Sequence, residues 1–202
     1  MERTARNKTK LGLELPTDPR WVNLAEMDLQ EILTDHAYCE QKATISCISL
    51  IQAFPDRKEL VKEVSPVVTE EWGHFRLVLQ ELEKRGLELG PQRKDEYVNG
   101  LREFRKKGGS KVQNLVERLL IFALIEARSC ERFRLLSLHI AEDELKEFYR
   151  KFMISEAGHY KMFLRLAKLY GGEEYVEQRW QEYLAFESEL LGTLEVRGDR
   201  MH

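Results

Sequence analysis

Apolar residues recur with a helical period over most of this chain, and few stretches alternate as a half-buried strand does. From about Val22 to Phe54, the positions Leu33, His36, Ala37, Glu40, Ala43, Cys47 and Ile51 fall on one stripe, so Glu40 points where the apolar residues point. Pro55 ends this helix. Asp56, with Glu59 three residues on, has capping-box spacing and starts a second helix, which Pro66 interrupts or kinks. In its later half Val67, Glu71, His74, Val78 and Leu82 form the inward stripe, and Gly86 is the stop.

Leu87–Gly109 is a long connection, with a turn at Gly90-Pro91, a short helix near Glu96–Lys106 and a break at Gly108-Gly109. Ser110 and Gln113 cap a third long helix whose stripe is Leu119, Phe122, Glu126, Cys130, Phe133, Ser137 and Ile140. The fourth runs from about Asp143 to Tyr170, with Leu145, Tyr149, Phe152, Glu156, His159, Phe163 and Leu166 inward, and Gly171-Gly172 stops it. A fifth amphipathic segment, from Glu173 to about Val196, is expected to pack outside the core.

The two halves match. Glu40 precedes Glu71 by 31 positions and Glu126 precedes Glu156 by 30, and both later segments read Glu-x-x-His. Two helical hairpins of this kind predict an all-α, ferritin-like four-helix bundle, with Leu87–Gly109 as its long crossover connection and an additional C-terminal helix. One domain over residues 1–202 is expected, with an irregular arm at 1–20 and the extra helix at 173–196.

Composition sharpens this picture only in places. No apolar run is long enough to span a bilayer, and the N-terminus has no apolar signal core, so a soluble cytoplasmic protein is expected. Cys39, Cys47 and Cys130 are odd in number and lie in helical patterns, which predicts buried thiols rather than disulfides. The net charge is −3, yet basic residues crowd the N-terminus (Arg3, Arg6, Lys8, Lys10) and the middle (Arg93, Lys94, Arg102, Arg105, Lys106, Lys107, Lys111).

Four carboxylates and two imidazoles directed into an apolar interior demand cations, because each desolvated anion costs several kcal/mol. Glu40, Glu71, His74, Glu126, Glu156 and His159 have the donor types for two divalent metals, and the oxygen and nitrogen set without thiolate fits iron or manganese. No catalytic residue beyond these ligands stands out. Glu70 and Glu131 fall off the stripes and are assigned arginine partners such as Arg128 or Arg132. His36, one turn before Glu40, is read as a satisfied core histidine in preference to a donor supporting a ligand.

Several segments carry a closer resemblance: Asp35–Ala43, Glu70–Phe75, Leu120–Phe133 and Ser155–Tyr160, with the arm Leu15–Trp21 and the loop Arg85–Pro91. They resemble the 2-methylthio-isopentenyl-adenosine tRNA hydroxylases, the run Ile125–Arg132 being the most specific part. That resemblance implies a di-iron monooxygenase that uses O₂ to hydroxylate the isopentenyl side chain of a modified adenosine beside the anticodon. No flavin, nicotinamide or iron–sulfur motif is present, so the electrons are expected from a separate reductase. The middle basic residues become candidate phosphate contacts. Phe104 and Trp72 are candidates to stack on a base or line the entrance, although core packing is the preferred role for Trp72. The competing readings are a ferritin- or rubrerythrin-like iron oxidase or peroxidase with the same six ligands and no RNA, and a helical interaction module with salt-bridged carboxylates.

Overall fold

A computed structural model describes residues 9–201, within which the regular structure is helical throughout. The helices are α1 (Arg20–Met27), α2 (Leu29–Ala53), α3 (Lys58–Lys84), α4 (Glu96–Phe104), α5 (Lys111–His139), α6 (Asp143–Gly171) and α7 (Glu173–Thr193). The chain divides into two compact units. One comprises Val22–Lys94 and Arg197–Met201, the other Asp95–Val196 and the chain up to Trp21.

In the first unit α2 and α3 form a hairpin. The single helix expected from Val22 to Phe54 is broken at Asp28, whose side chain accepts from the Glu31 N–H and caps α2. A cap residue inside an unbroken apolar pattern is hard to see in sequence. The expected Asp56 cap of α3 is also replaced, since Arg57 occupies the N-cap without a side-chain bond. Pro66 does not interrupt α3. It removes one donor to the Lys62 carbonyl, but both residues are exposed, so water can take its place. Gly86 ends α3 with φ +66°, and the Leu87 N–H donates back to the Leu82 carbonyl at 2.9 Å. The tail returns to this unit: the Met201 N–H donates to Asp35, and Gly198 lies so close to Leu24 that an added Cβ would sit 2.3 Å from its carbonyl oxygen.

The second unit is built around α5. Its Ser110–Gln113 capping box forms as expected, and burial extends round almost all its faces. Helix α6 packs along it, and α7 covers α4, α5 and α6. The fifth segment therefore does not pack outside the core: Val176, Trp180, Tyr183 and Leu184 are buried, each large side chain contributing about 1.5–3 kcal/mol. Described from residue 9, the N-terminal arm is irregular as expected, yet it is held in place. Leu13 is buried, and the Leu11 carbonyl accepts from Tyr160 at 3.2 Å. Residues 1–8, with Arg3, Arg6 and Lys8, lie outside the described residues. No described helix is long and apolar enough to cross a membrane.

Candidate metal centre

Each unit carries one triplet of donors. In the first, one α2 residue and two α3 residues one turn apart bring Glu40, Glu71 and His74 together, with ligand atoms within 4.8 Å of one another. His74 Nδ1 lies 3.4 Å from Glu40 Oε2 and 3.5 Å from Glu71 Oε2. Burial opposes charge on this imidazole, but the Glu40 and Glu71 carboxylates beside it outweigh that and push its pKa up to about 10. A positive charge is therefore strongly favoured where these side chains meet.

In the second unit Glu126 on α5 and Glu156 and His159 on α6 also place ligand atoms within 4.8 Å of one another. All three are buried, and His159 Nδ1 lies 3.3 Å from Glu156 Oε2. Helix spacing explains the arrangement: the inward stripes selected these positions, and the same stripes supply the apolar walls. The donor set of carboxylate oxygens and imidazole nitrogens fits a hard or borderline divalent metal such as iron.

His36 does more than fill the core. It is fully buried and satisfied as expected, and the group that satisfies it is a candidate ligand: its Nε2 is hydrogen-bonded to Glu40 Oε1 at 2.8 Å. In the other half Phe122 holds the corresponding position four residues before Glu126 and packs on Phe163. Glu131 pairs with Arg128 as expected, while the Arg132 guanidinium lies 4.8 Å over the Trp21 ring.

Arg128 is the centre of a buried network whose extent the sequence did not reveal. It donates to Glu187 on α7 (Nη2 to Oε1, 2.6 Å), to the Leu15 carbonyl (2.9 Å) and to Thr17 of the arm (3.2 Å). Tyr97 of α4 donates to the same Glu187 oxygen at 3.2 Å. Two residues after Glu126, this network ties arm, α4 and α7 to α5 and so fixes the depth and rotation of the helix that presents Glu126. A second pair, Arg179–Glu117, joins α7 to α5 at 2.7 Å. Guanidinium groups in apolar sequence patterns are readily mistaken for solvent-facing ones.

The residues of the predicted basic patch differ in their surroundings. Arg93 is held between Glu31 and Asp199, and Lys106 pairs with Glu182 at 3.3 Å. Lys94, Arg102, Lys107 and Lys111 are exposed, and Arg105 is half-buried. The aromatic assignments reverse. Trp72 is not core, being 46% exposed and in contact with Phe75. Phe104 is stacked on Phe186 at 4.0 Å under the Arg179 guanidinium. Cys47 and Cys130 are buried free thiols as expected, but Cys39 is only half-buried. Burial pushes the Cys130 thiol up to about 12, making it inert.

Hairpins carrying an inward Glu and then Glu-x-x-His place the chain in the ferritin-like all-α class, whose members build carboxylate–histidine metal sites from such helices. A Synechococcus protein with aldehyde deformylating oxygenase activity has the same fold, with a TM-score of 0.88 and 32% identity over 94% of each chain. Residues 5–202 match the family described as tRNA-(MS[2]IO[6]A)-hydroxylase (MiaE), and the chain belongs to that family. It is 36% identical over 89% of its length, and 86% of the other's, to the tRNA 2-(methylsulfanyl)-N(6)-isopentenyladenosine(37) hydroxylase of Pseudomonas putida. The enzyme of the same description from Salmonella typhimurium is 25% identical over 89% of this chain and 83% of its own.

Proposed function

We propose that this protein is a di-iron, O₂-dependent monooxygenase that hydroxylates the isopentenyl side chain of 2-methylthio-isopentenyl-adenosine next to the anticodon in tRNA. The observation that carries this reading is the family match from residue 5 to residue 202, which spans both donor triplets. The residues fit the metal by donor chemistry: Glu40, Glu71 and His74 from one hairpin and Glu126, Glu156 and His159 from the other would hold two irons in one ferritin-like domain. When bound and reduced, the irons supply the activation of O₂ that an unactivated C–H bond requires.

The chain supplies position and dryness. His36 orients the Glu40 carboxylate through its Nε2–H, and the Arg128 network holds α5 in register. The apolar stripes flanking the ligands exclude water and suit an aliphatic isopentenyl group. An external reductase delivers the two electrons, and the cytoplasm, where tRNA is found, is the compartment. Exposed Arg102, Lys107 and Lys111, with Arg105, are candidate phosphate contacts. Arg93, Lys94 and Lys106 belong to the same proposed set, Arg93 and Lys106 acting through exchange of their present carboxylate partners.

The test is mass spectrometry of nucleosides from isopentenylated tRNA incubated with iron-loaded, reduced protein under labelled O₂. One labelled oxygen on the modified adenosine is expected. Normal iron oxidation without oxygen on the nucleoside would transfer the reading to an iron oxidase.

A further inference from the structure

From Phe148 to Gly172 the chain has one acidic residue, the buried Glu156, against the cations Arg150, Lys151, Lys161, Arg165 and Lys168. The overall charge is negative, so this bias is local. All five cations lie on α6, where Arg150, Ile154, Gly158, Lys161 and Arg165 recur at intervals of three or four residues and share one face. The opposite face buries Tyr149, Phe152, Glu156, His159 and Phe163. Lys151, Lys161 and Arg165 are exposed. At the ends, Arg150 pairs with Glu147 at 3.4 Å and Lys168 with Glu173 at 2.9 Å. Gly158 keeps the middle of this face low: it is exposed, and an added Cβ would meet nothing within 4 Å.

We propose that this outward face of α6 docks the phosphate backbone of the substrate tRNA through Lys151, Lys161 and Arg165. It rests on the tRNA-hydroxylase reading and adds a second surface to the phosphate contacts proposed there. From Lys151 to Arg165 the cations span about 21 Å by helix rise and one helix width, a length over which a strand presents several phosphates. A protein partner favours an apolar centre. Here the exposed aliphatics Ile154 and Leu169 are roughly 22 Å apart along the axis and cannot form one. Acidic ligands on one face and cations on the other make α6 a two-sided element, holding metal inward and RNA outward.

The experiment compares wild type with K151Q/K161Q/R165Q, and with K58Q/K62Q/R76Q as an equal charge loss on exposed α3 positions. Affinity for isopentenylated tRNA is measured between about 50 and 200 mM salt, together with iron content and the rate of reduction by an acidic electron-donor protein. The α6 variant is expected to bind at least tenfold more weakly at low salt. Its log–log salt slope should be shallower by about 2–3, each lost phosphate contact removing about 0.7–0.9. Iron content should be unchanged, and the α3 variant should bind as wild type does. An α6 variant with wild-type affinity and slope overturns the proposal, and if its reduction is slowed, the face belongs to the electron donor. If wild type itself shows no salt-dependent tRNA binding, the hydroxylase reading fails and the docking face with it.

Discussion

Where α7 covers α5, buried acids meet arginine: Glu117 pairs with Arg179, and Glu187 and Glu131 with Arg128. At the two donor triplets, buried acids meet histidine: Glu40 lies against His36 and His74, Glu71 against His74, and Glu156 against His159. The difference is one of where the positive charge comes from. A guanidinium is permanently charged, so the first region is neutralised by the chain itself. An imidazole carries charge only while protonated, as His74 does with its raised pKa, so the positive charge in the second region is exchangeable and a bound cation can take its place. The first region sets the helices, and the second uses them.

The largest expected effect comes from breaking the self-sufficient region. E117Q leaves Arg179 with the half-buried Glu182 and is expected to cost about 3 kcal/mol at pH 7, read by urea unfolding. Burial works against the Glu117 charge, but bonds from Arg179, Tyr183 and the Lys106 N–H prevail and hold its carboxyl below the usual range. Its contribution is thus complete above the ordinary carboxylate pKa of about 4.3 and disappears as pH falls through the lowered value. The gap between wild type and E117Q should close with acid. Glu187 is the opposite case: burial prevails over Arg128 and raises its pKa. Its ionisation costs stability as pH rises through that raised value, so E187Q should cost less than E117Q at pH 7. Equal costs would contradict this account.

A smaller effect concerns His36. H36F should weaken metal binding about 10–100-fold in a competition titration while leaving unfolding cooperative, and H36Q, which keeps an N–H donor, should recover part of the loss. Unchanged affinity in H36F would reduce His36 to a packing residue. The smallest effect has the opposite sign to E117Q. In metal-free protein E156Q removes a buried charge, and a gain of about 1 kcal/mol, or roughly 2–4 °C in Tm, is expected. A loss like that of E117Q would erase the contrast between the two regions.

These two regions were not equally legible in the sequence. The ligand stripe was, because Glu71, His74, Glu156 and His159 recur with the same period as their apolar neighbours, and periodicity needs no knowledge of partners. Gly86 and the Ser110–Gln113 box were equally local signals. The arginine region depends on pairs 59 to 62 residues apart, such as Arg128–Glu187 and Glu117–Arg179, which no local pattern encodes. Without those pairs α7 reads as an outer helix. The same blindness sent Trp72 to the core, since an indole next to a ligand position looks apolar whichever way it faces. His36 was legible as a satisfied core histidine, but its spacing from Glu40 alone does not say whether that bond also orients a ligand.

The central claim is that the histidine-lined triplets are completed by iron, and anaerobic ferrous titration of metal-free protein tests it most directly. Wild type should take up two irons per chain, while E71Q and E156Q should fall short of two and E187Q should keep both. Wild type that binds no iron, or E71Q and E156Q variants that still bind two, would contradict the account.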